Sequence, residues 1–419
     1  MIMNELIQQA RAIWEQEKIC DRCLGRCFAK LGTGLANDER GKALRVVESM
    51  TSNSDVNIGQ ECSICFGIFE SVDDWAHRIY HASQDIQFLK YLIGTRPPRD
   101  ILIAEEKFWD KHDISAELRE PFKQEFNREV GKKLGGLFAL ADQKRSVDFE
   151  TPEIVLLIDL EKEQLQVTVN SLYIYGRYRK LVRTLPQTQW PCRDCKGKGC
   201  ASCEDTGKQY PESVGELIAA PALEMSDGED HAFHGAGRED IDALMLGSGR
   251  PFVLEIKSPG LRELDLETLR EQVNQSATGK VEVSALHFVR RTVVEQVKEQ
   301  KAQKSYRALV DFGKEVGADE LAQACQSLVG IINQQTPQRV LHRRADMTRK
   351  REVFSVECEI GKKNSGYVTL SCDGGLYIKE LISGDDGRTE PNLALALGTS
   401  AIVNELDVLS VDGDFPDSI

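Results

Sequence analysis

The sequence contains no long apolar run. Its longest apolar stretches, such as Ile154 to Ile158, are far too short to cross a bilayer. Met1 to Ile19 lacks the basic start and apolar middle of an export signal, with Glu5, Glu15 and Glu17 scattered through it. No membrane association is expected, and a cytoplasmic protein is. Internal repeats and low-complexity tracts are missing too, which leaves ordinary globular domains. Positive charge is in deficit: 53 Lys and Arg against 67 Asp and Glu give a formal net charge of −14. An anionic body repels a polyanion, so nucleic-acid binding would have to rest on local clusters.

Two such clusters are present. One holds Arg177, Arg179, Lys180 and Arg183; the other holds His342, Arg343, Arg344, Arg349, Lys350 and Arg351. The first lies in Tyr173 to Arg183, where aromatics alternate with cations. That mixture suits RNA, with rings to stack on bases and guanidinium groups for phosphates. Charge runs also arise as plain solvated strand faces.

At about 150 residues per domain, a chain of 419 residues makes two or three domains. Three regions suggest themselves: 1–69, 70–190 and 191–419. Leu6, Ile7, Ala10, Ile13 and Trp14 recur at helical spacing and predict an amphipathic N-terminal helix. In the second region, Phe88–Ile93 and Asp100–Ala104 read as strands split by Pro97 and Pro98. Pro121–Leu140 reads as a helix, and Ile154–Leu160 and Leu165–Asn170 as paired strands. In the third, strands are expected at 232–237, 243–247, 252–257, 282–290, 306–311, 352–360, 367–371 and 376–381. Helices are expected at 212–224, 265–277, 292–301 and 319–328, and Gly-Ser-Gly-Arg-Pro at 247–251 reads as a hairpin turn. Strands outnumber helices and short turns join several of them. The expected class is α+β, with a mixed, mainly antiparallel sheet flanked by helices.

Eight of the 12 cysteines form four CxxC pairs. Without an export signal, such pairs read as metal or redox sites before disulfides. Two pairs supply the four thiolates of a closed tetrahedral zinc site. Cys20, Cys23, Cys62 and Cys65 fit this pattern, with Cys27 a spare thiol. Cys192, Cys195, Cys200 and Cys203 form a denser cluster, where unneutralised thiolates would repel one another. One or two structural zinc ions are expected and no organic cofactor.

Gly237-Arg238-Glu239-Asp240 links two strand-like segments, with Arg238 and Asp240 in the turn. A lone Asp in a turn is commonly a turn cap. Nearby, His231 and His234 have an HxxH spacing and read as strand polarity. Gly237-Arg238-Glu239-Asp240 resembles the Gly-Arg-x-Asp signature of pseudouridine synthases. The run through Leu246, Gly247, Gly249, Arg250, Pro251 and Phe252 is similar to the archaeal-type tRNA pseudouridine(54/55) synthase family. So are Lys304-Ser-Tyr306-Arg-Ala, the segment Thr336 to Asp346, and the segment Gly375 to Pro391. The resemblance is strong from Pro191 onward. It is weaker in the N-terminal half, where the family carries a zinc-bearing, THUMP-like RNA-binding region.

The resemblance implies a tRNA substrate modified at T-loop uridines, with no obligatory protein partner. It makes Asp240 the nucleophile, with Arg238 and Lys379 as accompanying cations. It nominates Tyr306 and Tyr377 for holding the uracil. Arg177, Arg179, Lys180, Arg183, Arg343 and Arg344 are the candidate RNA contacts. Asp242 has the right residue type but falls outside the Gly-Arg-x-Asp register. Other THUMP-bearing enzymes would be methyltransferases or thiouridine synthases, whose Gly-rich turns neither Gly32-Thr-Gly34 nor Gly247-Ser-Gly249 matches. A zinc-containing adaptor would repeat the Cys192 unit, and this chain does not.

Overall fold

The structure, a computed structural model, describes residues 3–57, 61–299, 302–342, 344–362 and 364–412. Contacts divide it into two units, Met1–Asn170 and Ser171–Ile419, each around its own apolar core. Among the described residues no helix is long and apolar enough to cross a membrane.

The first unit begins with α1 (Met3–Gln16), α2 (Asp21–Arg26), α3 (Asn37–Ser52) and α4 (Val72–Ala82), followed by β1 (Lys90–Arg96), α5 (Arg99–Lys111), α6 (Phe122–Leu140), β2 (Ser146–Val147), β3 (Ile154–Asp159) and β4 (Gln164–Val169). The sheet order is β2-β1-β3-β4, parallel at β1 and antiparallel between β3 and β4. α6 buries Phe122, Phe126, Val130, Leu134 and Phe138, one residue per turn, so a single stripe meets the core. The expected strand at 100–104 is the start of α5. Ile101, Glu105 and Phe108 are its buried face, and Pro98 sits at its N-cap. A short apolar run has no period long enough to separate strand from helix.

The second unit contains β5 (Leu172–Lys180), α7 (Val214–Ser226), β6 (Asp230–Gly235), β7 (Leu244–Lys257), α8 (Leu266–Ser276), β8 (Val281–Val283), β9 (His287–Phe288), α9 (Thr292–Glu299), β10 (Lys304–Phe312), α10 (Ala318–Gln326), β11 (Gly330–Gln335), β12 (Thr348–Ile360), β13 (Ser365–Cys372), α11 (Ile378–Ser383), β14 (Thr389–Glu390), α12 (Leu393–Leu397) and β15 (Ala401–Val411). One sheet runs β14-β11-β12-β13-β10-β15-β7-β5-β8, with β6 also on β7 and β9 also on β5. Its pairs are antiparallel except β15 with β7. The architecture is the mixed, mainly antiparallel α+β fold that the sequence pattern predicts.

The expected strand at 282–290 is two short ones, β8 and β9, and β11 and β15 lie where no strand is expected; three further details differ from the sequence reading. β5 pairs with β7 through Leu172 to Lys180, so this segment belongs to the second unit. Residues 247–251 are not a hairpin turn but the middle of β7. There Gly247 and Gly249 take positive φ and the strand passes from β15 to β5. A Cβ at Gly247 would lie 2.0 Å from the Leu409 carbonyl oxygen, so these glycines mark a bulge under close backbone approach. The third is 376–381, expected as a strand, which forms α11 with Tyr377 at its N-cap.

Candidate active site and metal centres

Ala236 to Ala243 link β6 to β7, and buried side chains hold the backbone of this loop in place. Arg250, 1% exposed, donates from Nε to Glu239 Oε2 at 2.8 Å and from Nη1 to the Ala236 carbonyl at 2.8 Å. Tyr178 donates its hydroxyl to Glu239 at 3.0 Å, and Gln187 Nε2 donates to Tyr178 Oη and the Gly237 carbonyl, both at 2.9 Å. The fully buried Lys180 donates to the carbonyls of Leu185 (3.0 Å), Asp240 (3.3 Å) and Ile241 (3.1 Å). Burial pushes the Lys180 pKa down and the Tyr178 pKa well up. A buried Arg–Glu pair contributes little net stability, but removing one partner strands a charge and costs ~3–5 kcal/mol. The loop is therefore held in one conformation.

The loop faces a cleft of about 750 Å³ rich in cations: Arg238, Lys304, Arg339, Arg344, Arg349 and Lys379 line it. Asp240 projects into this cleft. Its Oδ2 lies 3.5 Å from Arg339 Nη2 and 3.7 Å from Lys379 Nζ. Lys379 has a shorter contact, 2.8 Å, to Asp242. Burial works to raise the Asp242 pKa, but the Lys379 hydrogen bond and charge outweigh it and the net shift is downward. Arg339 is oriented by Glu380 at 2.7 Å, and its guanidinium stands 5.7 Å from the Tyr377 ring centroid. Tyr306, from β10, closes one wall; burial raises its pKa. Tyr377 is fixed through its backbone: its N–H donates to Gln334 Oε1 at 2.8 Å and its carbonyl accepts from Gln334 Nε2 at 3.0 Å.

Asp240, Arg238, Lys379, Tyr306, Tyr377 and Arg344 thus come together in one cleft, though far apart in sequence. The Asp240 side chain is 42% exposed, so the protein alone does not supply the dry enclosure expected for a nucleophile. Arg343 lies outside the described residues. The cations of 177–183 are engaged within the second unit to different degrees. Lys180 is buried as described. Arg183 donates to the Asp242 and Leu406 carbonyls and pairs with Glu405 and Asp407. Arg177 donates to the carbonyls of Ser248 and Val411 at 2.9 and 2.5 Å, and Arg179 pairs with Glu282. Alternation of rings and cations reads the same whether the cations face solvent or an adjacent strand. Sequence reasoning gave no role to Arg339, Arg250, Glu239 or Lys304, although each lies within a segment that carries the family resemblance. His234 accepts or donates a 2.9 Å hydrogen bond with Glu255, as strand polarity requires.

Each cysteine tetrad draws its sulfurs to within 4.8 Å of one another, so each could hold a metal ion. The S···S edges are 3.8 Å for Cys20–Cys65, and 4.0, 3.8 and 3.7 Å for Cys192–Cys200, Cys195–Cys203 and Cys200–Cys203. A tetrahedral ion with bonds of about 2.3 Å to sulfur requires edges of about 3.8 Å; a disulfide would need about 2.05 Å. Three of the pairs share one turn: the residue after the second cysteine is left-handed, Phe66 (φ 52°), Lys196 (φ 54°) and Glu204 (φ 52°). Amides approach the sulfurs, Cys23 N to Cys20 Sγ at 3.4 Å and Gly207 N to Cys203 Sγ at 3.3 Å. Cys27 stands apart as a spare thiol, its pKa pushed up to about 12 by burial.

Residues 173–412 match the protein family described as "Pus10, C-terminal", and residues 75–159 match "Pus10 THUMP domain, archaeal". A protein of Halorubrum lacusprofundi named tRNA pseudouridine synthase Pus10 is 45% identical over 94% of this chain and 94% of its own length. Proteins of the same name from Methanothrix thermoacetophila (44% identical; 98% of this chain, 96% of theirs) and Pyrococcus furiosus (37%; 98% and 98%) are also similar. The cleft and these matches define an isomerase of the pseudouridine synthase class. Within that class the chain belongs to the Pus10 family.

Proposed function

We propose that this protein isomerises uridine to pseudouridine in the T loop of tRNA, at position 54, position 55 or both, with Asp240 as the nucleophile. The observation that carries this reading is the Asp240 carboxylate, 3.5 Å from Arg339 and 3.7 Å from Lys379, in a cation-lined cleft. A carboxylate beside fixed cations stays ionised when a ligand covers it. The reaction breaks a C–N bond, turns the uracil and forms a C–C bond. A covalent carboxylate link holds one fragment while the other turns.

The target nucleotide has to leave its stack to reach Asp240. Arg238, beside the nucleophile on the loop, fills the gap in the RNA. Tyr306 and Tyr377 hold the uracil, an aromatic platform being typically worth ~1–3 kcal/mol per base. The inserted nucleotide, rather than the protein, completes the exclusion of water around Asp240. Arg344, which lines the cleft, serves the phosphates there, and Arg343 remains a candidate phosphate contact by its place in the sequence alone. Both tetrads suit zinc by donor type and edge length. Four thiolates per ion leave no position for water, so zinc there would tie each knuckle together and neutralise its charge. The reaction needs no organic cofactor, and the cytoplasm is its place.

The test is incubation of the purified protein with an unmodified tRNA transcript, without cofactors, and mapping of pseudouridine at nucleotide resolution. Product confined to position 54 or 55 supports the reading; product elsewhere or none refutes it.

A further inference from the structure

Lys304 opens β10 and lines the cleft two residues before Tyr306. Its stem passes Gly374, where a Cβ would stand 3.7 Å from Lys304 Cε. Its tip reaches the catalytic loop, where a Cβ on Gly237 would stand 3.1 Å from Nζ. The glycine of Gly-Arg-x-Asp thus leaves room for this ammonium. The charged and titratable groups around it are Arg250 from β7, Cys372 from β13 and Glu239 from the loop. Glu239 is already committed to Arg250 and Tyr178. Among the described residues no acceptor takes a hydrogen bond from Lys304 Nζ. A half-buried cation next to a second cation is costly, and burial and Arg250 together push its pKa down to about 8. Its tip nevertheless opens into the cleft that admits the substrate. Its three N–H donors are therefore available to an anionic or carbonyl oxygen of the ligand.

We propose that Lys304 is a further catalytic residue: its ammonium receives the negative charge that develops on the uracil when the C1′–N1 bond of the target nucleotide breaks. This rests on the reading of the cleft given above. In that step the bonding pair leaves on N1 and spreads to O2 and O4, while the Asp240 carboxylate bonds to C1′. Lys304 keeps its proton and donates a hydrogen bond to the oxygen carrying the charge. When C5 of the turned ring attacks C1′, the ester bond to Asp240 breaks with its pair returning to the carboxylate. The proton lost from C5 is balanced by one gained at N1, so nothing is oxidised or reduced. A fixed donor aimed at developing charge in a shielded site typically accelerates a step by ~10²–10³-fold.

The experiment compares wild type, Lys304→Met and Lys304→Arg in single turnover on tRNA carrying either uridine or 5-fluorouridine. Fluorine stabilises the departing uracil anion and so reduces the need for a cation. Lys304→Met is expected to slow consumption of uridine about 100-fold, and 5-fluorouridine at least about tenfold less. Its tRNA affinity stays within about threefold, because one rim-independent contact is lost. Lys304→Arg recovers part of the rate. Because the half-buried ammonium opposes folding, Lys304→Met melts at or above the wild-type temperature. Equal slowing on both substrates, an unchanged rate, or a melting temperature well below wild type overturns the proposal. A wild-type protein that converts neither substrate overturns the reading of the cleft, and this proposal with it.

Discussion

The Lys379 ammonium stands 2.8 Å from Asp242 and 3.7 Å from Asp240, so one cation serves both aspartates of the loop. Asp242 positions Lys379, and Lys379 with Arg339, 3.5 Å away on its other contact, places two cations beside the Asp240 carboxylate. Lys379→Met should lower kcat about 100-fold, as loss of a preorganised charge does. Asp242→Asn, which leaves the lysine in reach of Asp240, should cost no more than about tenfold. The folded Asp242 pKa is lowered, so its pairing is intact above the ordinary carboxylate value and is lost as pH falls through the lowered one. The activity difference between wild type and Asp242→Asn should therefore vanish at acid pH. Steady-state kinetics of both variants across pH checks this.

Glu239 and Arg250 form the buried support of the loop carrying Asp240, with side chains 0% and 1% exposed. Glu239→Ala or Arg250→Ala should each destabilise the second unit by about 3–5 kcal/mol. Glu239→Leu with Arg250→Met should recover much of that loss without restoring activity, because the Ala236 carbonyl loses its donor. Denaturant titration of the single and double variants measures both effects.

How much of this was legible beforehand divides by the kind of signal. Asp240 is legible as a candidate because Gly-Arg-x-Asp is a local string, and the clustering of each cysteine tetrad because CxxC spacing is local too. Lys379 and Tyr377 are candidates through resemblance alone; both line the cleft, although the segment carrying them is helix α11 with its N-cap rather than a strand. Which cations of 177–183 face solvent is not legible locally, because burial of Lys180 depends on β7, about 70 residues away, and not on its neighbours in sequence. Arg339 and Lys304 were missed for the same reason: what makes each a site residue is the partner, or lack of one, across the cleft.

Arg344 lines the cleft whereas Lys180 is fully buried, so the two should differ in RNA binding. Arg344→Ala should weaken tRNA binding uniformly and reduce the salt slope by about one, the signature of a lost phosphate contact. Lys180→Met should leave the slope unchanged and lower stability, since it removes the donor of three carbonyls. Binding isotherms at several salt concentrations, with melting curves, separate the two.

Metal analysis of purified protein should find two zinc ions per chain. Cys62→Ser and Cys200→Ser should each remove one. Losing a structural zinc site unfolds its surroundings, so Cys62→Ser should lower the melting temperature of the first unit. One ion in wild type would leave a single tetrad as the metal centre, and Cys200→Ser would then change nothing in the count.

The sharpest trial is chemical. Isomerisation must release the hydrogen at C5 of uridine, so tRNA carrying tritium at that position reports each turnover. Asp240→Asn, which keeps size and hydrogen bonding but abolishes the nucleophilic charge, should release no tritium above background while binding tRNA within about threefold of wild type. Tritium release by Asp240→Asn at a tenth of the wild-type rate or more would contradict the account, since the carboxylate could not then be the bond-forming group.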